Sequence, residues 1–283
     1  MAAKTELIVC GWDEVFILDP NRPEKGKLWS WRATERPELA PAAAALFATT
    51  DECKPISRGR LLIVSSGGGV AIVARRTGQT LWWAALTDAH SAEMLPGGRV
   101  VAAASVAQHG GNRLVLYDPA LGEGELDSAP AVSAHGLVWD EQRQTLWSIC
   151  FGELQAYRLV DWKGASPALS IAAAADLPDG NGHDLSPVPG TPFLALSTQG
   201  GCWFFDRDSM RFTAHPDLAD VPNVKSIDVH PVTGRLAYIH AEGRQWWAHA
   251  LRFRHPDGLL NMPQEHLYKA RWLRTVRAPR ASY

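Results

Sequence analysis

One repeated unit governs what this chain can fold into: a polar residue leading a short apolar strand, a turn rich in Pro, Gly or Asp, then two more strands. Copies begin at Lys54, His90, His135, His183 and Lys225, so the starts are 36, 45, 48 and 42 residues apart. In the second copy His90 to Ala104 is followed by Arg113 to Asp118. The third gives His135 to Asp140, Thr145 to Ile149 and Leu154 to Asp161, and the fourth gives His183 to Gly190, Phe193 to Ser197 and Cys202 to Asp206. In the fifth, Lys225 to Pro231 leads into Arg235 to Ile239, and Gln245, Trp246 and Trp247 stand where a third strand is expected. Supersecondary repeats of roughly 40 to 45 residues, each too small to bury its own apolar faces, are the mark of a β-propeller.

The blade count follows from the ends. Leu7 to Trp12, Val15 to Asp19 and Leu28 to Trp31 supply three strands but no polar-led first strand. Lys269 to Leu273 is the one unassigned run of that kind, 44 residues beyond Lys225. The sequence therefore predicts an all-β, six-bladed propeller spanning 1–283 as a single domain, closed by a C-terminal strand that completes the N-terminal blade. Closure of that kind removes an open sheet edge. Pro37 to Thr49 and Pro256 to His266 read as longer irregular or helical connections. Twelve tryptophans, 24 glycines and 19 prolines agree with strands and tight turns. Gly67-Gly68-Gly69 lies between strands with no lysine at phosphate-loop spacing, and reads as a hairpin turn.

Composition limits the partners. Lysine and arginine number 28 against 30 acidic residues, a net charge of −2, which disfavours nucleic acid and polybasic membrane attachment. The N-terminus shows no secretory h-region and no apolar run approaches a membrane span, so a soluble, cytoplasmic protein is expected. Cys10, Cys53, Cys150 and Cys202 are far apart without a C-x-x-C pair, and read as buried free thiols. The oligomeric state is not legible.

Innermost propeller strands run in one direction along the channel, so equivalent repeat positions should share a height. On that alignment Lys54, His90, His135, His183, Lys225 and Lys269 form a ring, and the channel mouth concentrates positive charge suited to a small anion. His90, His135 and His183 could hold a divalent metal such as Mn, Zn or Fe, leaving a position for water or substrate. Glu93, Asp184, Asp228 and Arg271 follow ring members closely; each either reaches the same face or bridges blades. Tyr157, Tyr238 and Tyr268 are possible phenol donors, and nothing nearby selects one. Trp82, Trp83, Trp246 and Trp247 read as packing between blades or, for one of them, as a sugar-stacking platform.

Leu62 to Ala71, His90 to Arg99, Ser133 to Asp140 and Gly182 to Pro192 resemble a bacterial propeller family of unknown function, across nearly the whole chain. The resemblance implies the fold and brings no activity. The layout alone is similar to propeller sugar lyases such as oligogalacturonate lyase, a cytosolic type with channel histidines around a divalent metal, although no catalytic motif carries over. Gly182-His183 also resembles the Gly-His pair of WD-type propellers, where the histidine serves an internal hydrogen-bond network. Lysines at the equivalent place in three repeats count against that structural role, because an ammonium cannot both donate and accept.

The expected function is an enzyme acting on a small acidic saccharide in the channel, a carbon-oxygen lyase performing β-elimination. His90, His135, His183 and Lys225 are its catalytic candidates, and Lys54, Lys269, Glu93 and Arg271 its substrate-binding ones. The alternatives are a metal-assisted hydrolase of a lactone or phosphoester in the same pocket, and a non-catalytic interaction or sensor propeller.

Overall fold

The structure is a computed structural model that describes residues 5–106 and 108–281. Six four-stranded antiparallel sheets form a closed ring, each sheet a blade. Blade 1 holds β1 (Leu7–Gly11), β2 (Glu14–Leu18) and β3 (Trp29–Arg32). Blade 2 runs β4 (Thr50–Ile56), β5 (Arg60–Ser65), β6 (Gly69–Ala74) and β7 (Thr80–Ala85), and blade 3 runs β8 (Ala89–Met94), β9 (Val100–Ala104), β10 (Arg113–Tyr117) and β11 (Glu125–Pro130). Blade 4 comprises β12 (Gly136–Asp140), β13 (Thr145–Ile149), β14 (Glu153–Val160) and β15 (Ala168–Asp176). Blade 5 comprises β16 (Asp184–Pro187), β17 (Phe193–Ser197), β18 (Cys202–Asp206) and β19 (Arg211–Ala214). Blade 6 comprises β20 (Val224–Val229), β21 (Leu236–His240), β22 (Ala250–Arg254) and β23 (Gly258–Asn261).

The last strand, β24 (Lys269–Trp272), pairs with β1 from Leu7↔Trp272 to Cys10↔Lys269. It is the innermost strand of blade 1, as the unmatched N-terminal repeat requires. Innermost strands β24, β4, β8, β12, β16 and β20 each contact their neighbours around the axis.

The inner strands are buried on both faces because each blade packs between two others. In β1, Ile8 and Cys10 join the core shared with blade 2, while Leu7 and Val9 join the core shared with blade 6. In β5, Leu61 and Ile63 face one neighbour, and Leu62 and Val64 the other. That is why these strands read as unbroken apolar runs rather than alternating ones. All four cysteines are free and buried. Nine of the twelve tryptophans belong to these inter-blade cores, from Trp29, Trp31 and Trp83 between blades 1 and 2 to Trp272 between blades 6 and 1. The remaining three are Trp12, Trp246 and Trp247.

Two local expectations are corrected. Within 256–266 the chain makes β23, the outer strand of blade 6, instead of a helical connection. Trp246 and Trp247 are not in the third strand of that blade; β22 fills that place, and both indoles lie in the loop before it. The stretch around Ala40 does hold a helix, only five residues long, at Pro41–Ala45.

Beyond β24 the chain crosses the far end of the channel. Leu273 N–H donates to Glu6 C=O in blade 1, Arg274 lies 3.8 Å from Asp228, and the Arg280 N–H and C=O bond Glu141 and Gln144 of blade 4. Blades 1 and 4 are opposite in a ring of six, so residues 273–281 form a strap over that mouth. Among the described residues no helix is long and apolar enough to cross a membrane.

Candidate functional site

Strand pairing fixes the height of each channel residue. The ends of the second strands are equivalent: Gly11, Ser65, Ala104, Ile149, Ser197 and His240. Thr50, Ala89 and Val224 pair with Ser65, Ala104 and His240, and the next pairs skip Asp51, His90 and Lys225. These three are bulged residues, re-aimed as bulges commonly are near sites. His135 and His183 immediately precede Gly136 and Asp184, which pair with Ile149 and Ser197. In blade 1 the corresponding residue is Tyr268, whose N–H donates to Cys10 C=O.

The upper ring is therefore Asp51, His90, His135, His183, Lys225 and Tyr268. Four of the six expected members are brought together. The His90 and His135 ring centres lie 4.4 Å apart, His135 and His183 5.4 Å, and Lys225 Nζ is 3.0 Å from His183 Nε2.

Lys54 and Lys269 are not at that height, which corrects the expected six-member basic ring. Lys54 pairs opposite Leu62, three residues deeper than Asp51, because the alignment took the basic residue of that strand as its start, whereas the ring position there is the acidic Asp51. It faces Glu93, equivalent to it in blade 3, with Nζ 3.3 Å from the carboxylate and 2.6 Å from Leu137 C=O. Lys269 lies one step below the ring, fully buried, 3.4 Å from Glu52 and 3.2 Å from Asp184. Arg271 bridges the same two carboxylates at 3.0 Å from Glu52 and 2.5 Å from Asp184. Burial alone would raise Glu52 and Asp184, yet Arg271 and Lys269 outweigh it and hold both carboxyls low. This waist ties blades 1, 2 and 5 together and seals the channel between its two mouths. Below it, Lys54, Glu93, Trp139, Arg271, Arg274 and Val276 enclose a cavity of about 200 Å³ on the strap side.

Two ring histidines have assigned tautomers. His135 Nδ1–H donates to Ser133 C=O at 2.8 Å, and His90 Nδ1–H to Asp88 C=O at 3.1 Å, with the Asp88 carboxylate at 3.5 Å. A carbonyl only accepts, so in either ring's neutral form the lone pair is on Nε2. Burial, then His90 and His183, push His135 well below the usual histidine value. Burial and the Lys225 charge bring His183 down to about 3, so it is neutral and its Nε2 accepts from Lys225. His183 Nδ1 then carries the hydrogen and has no partner among the described residues.

Burial first, with Lys269 adding, lowers Lys225 to about 8. Burial raises the Asp51 carboxyl, and it raises the Tyr268 phenol well above its ordinary value, with Asp51 and Asp184 adding to the latter. Sequence reasoning missed Asp51 and did not select Tyr268. Alignment on the second strands, whose ends precede the turns, would have found both.

A metal fits this donor set poorly. No group of three or more His, Cys, Asp or Glu among the described residues is placed to hold one, and His183 Nε2 is taken by Lys225. Elsewhere, clefts of about 310 and 330 Å³ lie at blade rims, beside Leu18 and Met262 and beside Arg75 and Val232. The first is lined mainly by apolar and amide side chains, and the second holds Glu6, Arg75, His230 and Arg274 but one histidine in place of three.

A closed six-bladed β-propeller with a histidine- and lysine-lined channel mouth is thus the class of protein that fold and site define. The chain belongs to the DUF6528 family, a family of unknown function, whose model matches residues 13–279. A search of curated proteins gives no match. Among solved structures, a chain of the structure titled "Crystal Structure of Mitotic Checkpoint Complex" is similar, with a TM-score of 0.57 and 13% identity. That likeness covers 83% of this chain and 68% of the other, and at such identity it speaks to the propeller fold alone.

Proposed function

We propose that the channel mouth binds a small acidic saccharide and acts on it as a carbon-oxygen lyase, in the cytoplasm. The observation that carries the reading is the convergence of His90, His135, the Lys225–His183 pair and Tyr268 at one end of the innermost strands. One amine, three imidazoles and a phenol thus stand at one level of the innermost strands, with ring centres 4.4 and 5.4 Å apart along the histidines.

Elimination beside a carboxylate needs three things: a cation near the carboxylate, a base for the α-proton and a proton for the leaving oxygen. Lys225 suits the first, being charged below about pH 8 and already oriented by His183. His90 suits the second, since Asp88 anchors its Nδ1–H and leaves Nε2 free to accept. Tyr268 suits the third because its phenol stays protonated. As His90 Nε2 takes the α-proton, the C–H electron pair becomes a C=C bond. The β C–O bond breaks, and the Tyr268 proton goes to the departing oxygen. Solvent then restores both groups. His135 would accept from a sugar hydroxyl.

Incubation with uronate-containing oligosaccharides, followed by ultraviolet absorbance of the unsaturated product, tests this. Product is expected from the wild type and at least about 100-fold less from His90→Gln or Lys225→Met, the scale of a lost acid-base group. No product and no uronate binding would sink the reading. Tight binding without product would instead favour a sensor. Elemental analysis of protein purified without a metal-affinity step tests the metal-assisted alternative.

A further inference from the structure

Trp12, Trp246 and Trp247 are the three tryptophans that serve no inter-blade core, and they occur together. Trp12 and Trp246 stack at 5.1 Å and 12°, while Trp247 stands edge-on to both at 4.8 and 5.2 Å. His266 stacks on Trp12 at 4.3 Å. Gly11 permits that approach, because a Cβ there would strike the His266 carbonyl.

The cluster sits on the same face as the histidine ring. Thr50 N–H, at the start of β4, bonds Trp12 C=O, and Ala241 N–H, at the start of the tryptophan loop, bonds Asn223 C=O just before Lys225. Trp246 is also edge-on to Tyr268, a ring member, at 5.6 Å. Despite these neighbours Trp246 remains 37% exposed. Three indoles are held by one another, with one left open beside the polar ring. Ligand sites commonly combine such an aromatic wall with a few convergent polar groups.

From this we infer that Trp246, backed by Trp12, is a stacking subsite for a second pyranose ring of the ligand whose carboxylate sits at Lys225. The inference rests on the acidic-saccharide reading and deepens it: the preferred substrate is at least a disaccharide. The apolar C–H face of a pyranose lies flat on an indole, and its ring hydroxyls point to the sides, towards water.

The test is calorimetric titration with galacturonate and digalacturonate, using a His90→Gln background to keep the disaccharide intact. In that background, digalacturonate should bind about tenfold tighter than galacturonate, matching about 1.4 kcal/mol for a good ring contact. Trp246→Ala should remove that advantage and leave galacturonate binding within about twofold, whereas Trp246→Phe should keep most of it. Equal digalacturonate affinity with and without Trp246 would overturn the subsite while leaving the ring reading intact. Failure of the wild-type chain to bind galacturonate would overturn the acidic-saccharide reading, and the subsite with it.

Discussion

Lys225 is held where its charge is costly. Its side chain is buried among neutral rings, and no carboxylate lies within ion-pair distance among the described residues. The folded value of about 8 against an ordinary 10.5 sets the sign. Between those values the unfolded chain binds the extra proton, so stability from this group rises with pH across that window. Below about pH 8 both states are protonated and the full burial cost applies. Lys225→Met should therefore stabilise the protein by about 2 kcal/mol at pH 7, an order-of-magnitude figure that allows for the lost contact to His183. The gain should shrink to nothing by about pH 10.5. Thermal unfolding of both proteins at pH 7 and pH 10 checks this, and an equal gain at both would show that the ammonium is not strained. A neutral-pH stability gain accompanied by loss of turnover is the pattern expected where function keeps an unfavourable charge in place.

The waist beneath it behaves oppositely. Arg271 and Lys269 balance most of the buried charge of Glu52 and Asp184, and removing one partner of a buried pair leaves an uncompensated charge. Arg271→Met should cost about 3–5 kcal/mol, read from denaturant unfolding at pH 7.

Among elements, β24 does two jobs at once. It supplies the innermost strand of blade 1 and carries Lys269 and Arg271 into the waist, while Trp272 fills the core between blades 6 and 1. Beyond Arg274 the strap makes peripheral hydrogen bonds between Arg280 and both Glu141 and Gln144, and a contact through Ala281. Truncation after Arg274 should leave a cooperative melt within a few degrees of the full chain, whereas truncation after Tyr268 should abolish it. Equal behaviour of the two truncations would mean that closure through β24 is not what holds the ring.

This element was legible in the sequence because its absence from the N-terminal repeat was visible, and because strands buried on both faces announce themselves as apolar runs between turns. The heights of the channel residues were not legible. A bulge adds one residue without changing composition, so a polar residue at the head of a repeat does not mark a fixed level. In blade 2 the ring residue is the acidic Asp51, and an alignment on basic residues passed over it to Lys54, three residues deeper. Nor does spacing reveal that Lys269 and Arg271 are answered by carboxylates in blades 2 and 5, Glu52 and Asp184.

At the scale of the whole molecule, the ring and the waist together decide its response to acid. His135 and His183 are buried neutral, with His183 near 3 against an ordinary 6.5. As pH falls below about 6.5 the unfolded chain protonates these histidines and the folded chain does not, so stability declines across that window. Each fully depressed histidine is worth about 3 kcal/mol by pH 4, on the order of the shift multiplied by 1.4 kcal/mol per unit. Glu52 and Asp184 act in the same direction further down. Their folded values lie below the ordinary 4.5 and 3.8, so the stability they confer is lost only as pH falls beneath those. Two successive losses are therefore expected, first between about pH 6.5 and 4 from the ring and then below about 4 from the waist. The double variant His135→Gln/His183→Gln separates them: urea unfolding from pH 7 to 3.5 should show the first decline flattened and the second retained. A parallel curve for the variant would place the acid sensitivity outside the channel mouth, and would remove the argument that its histidines are held neutral to accept hydrogen bonds from a ligand.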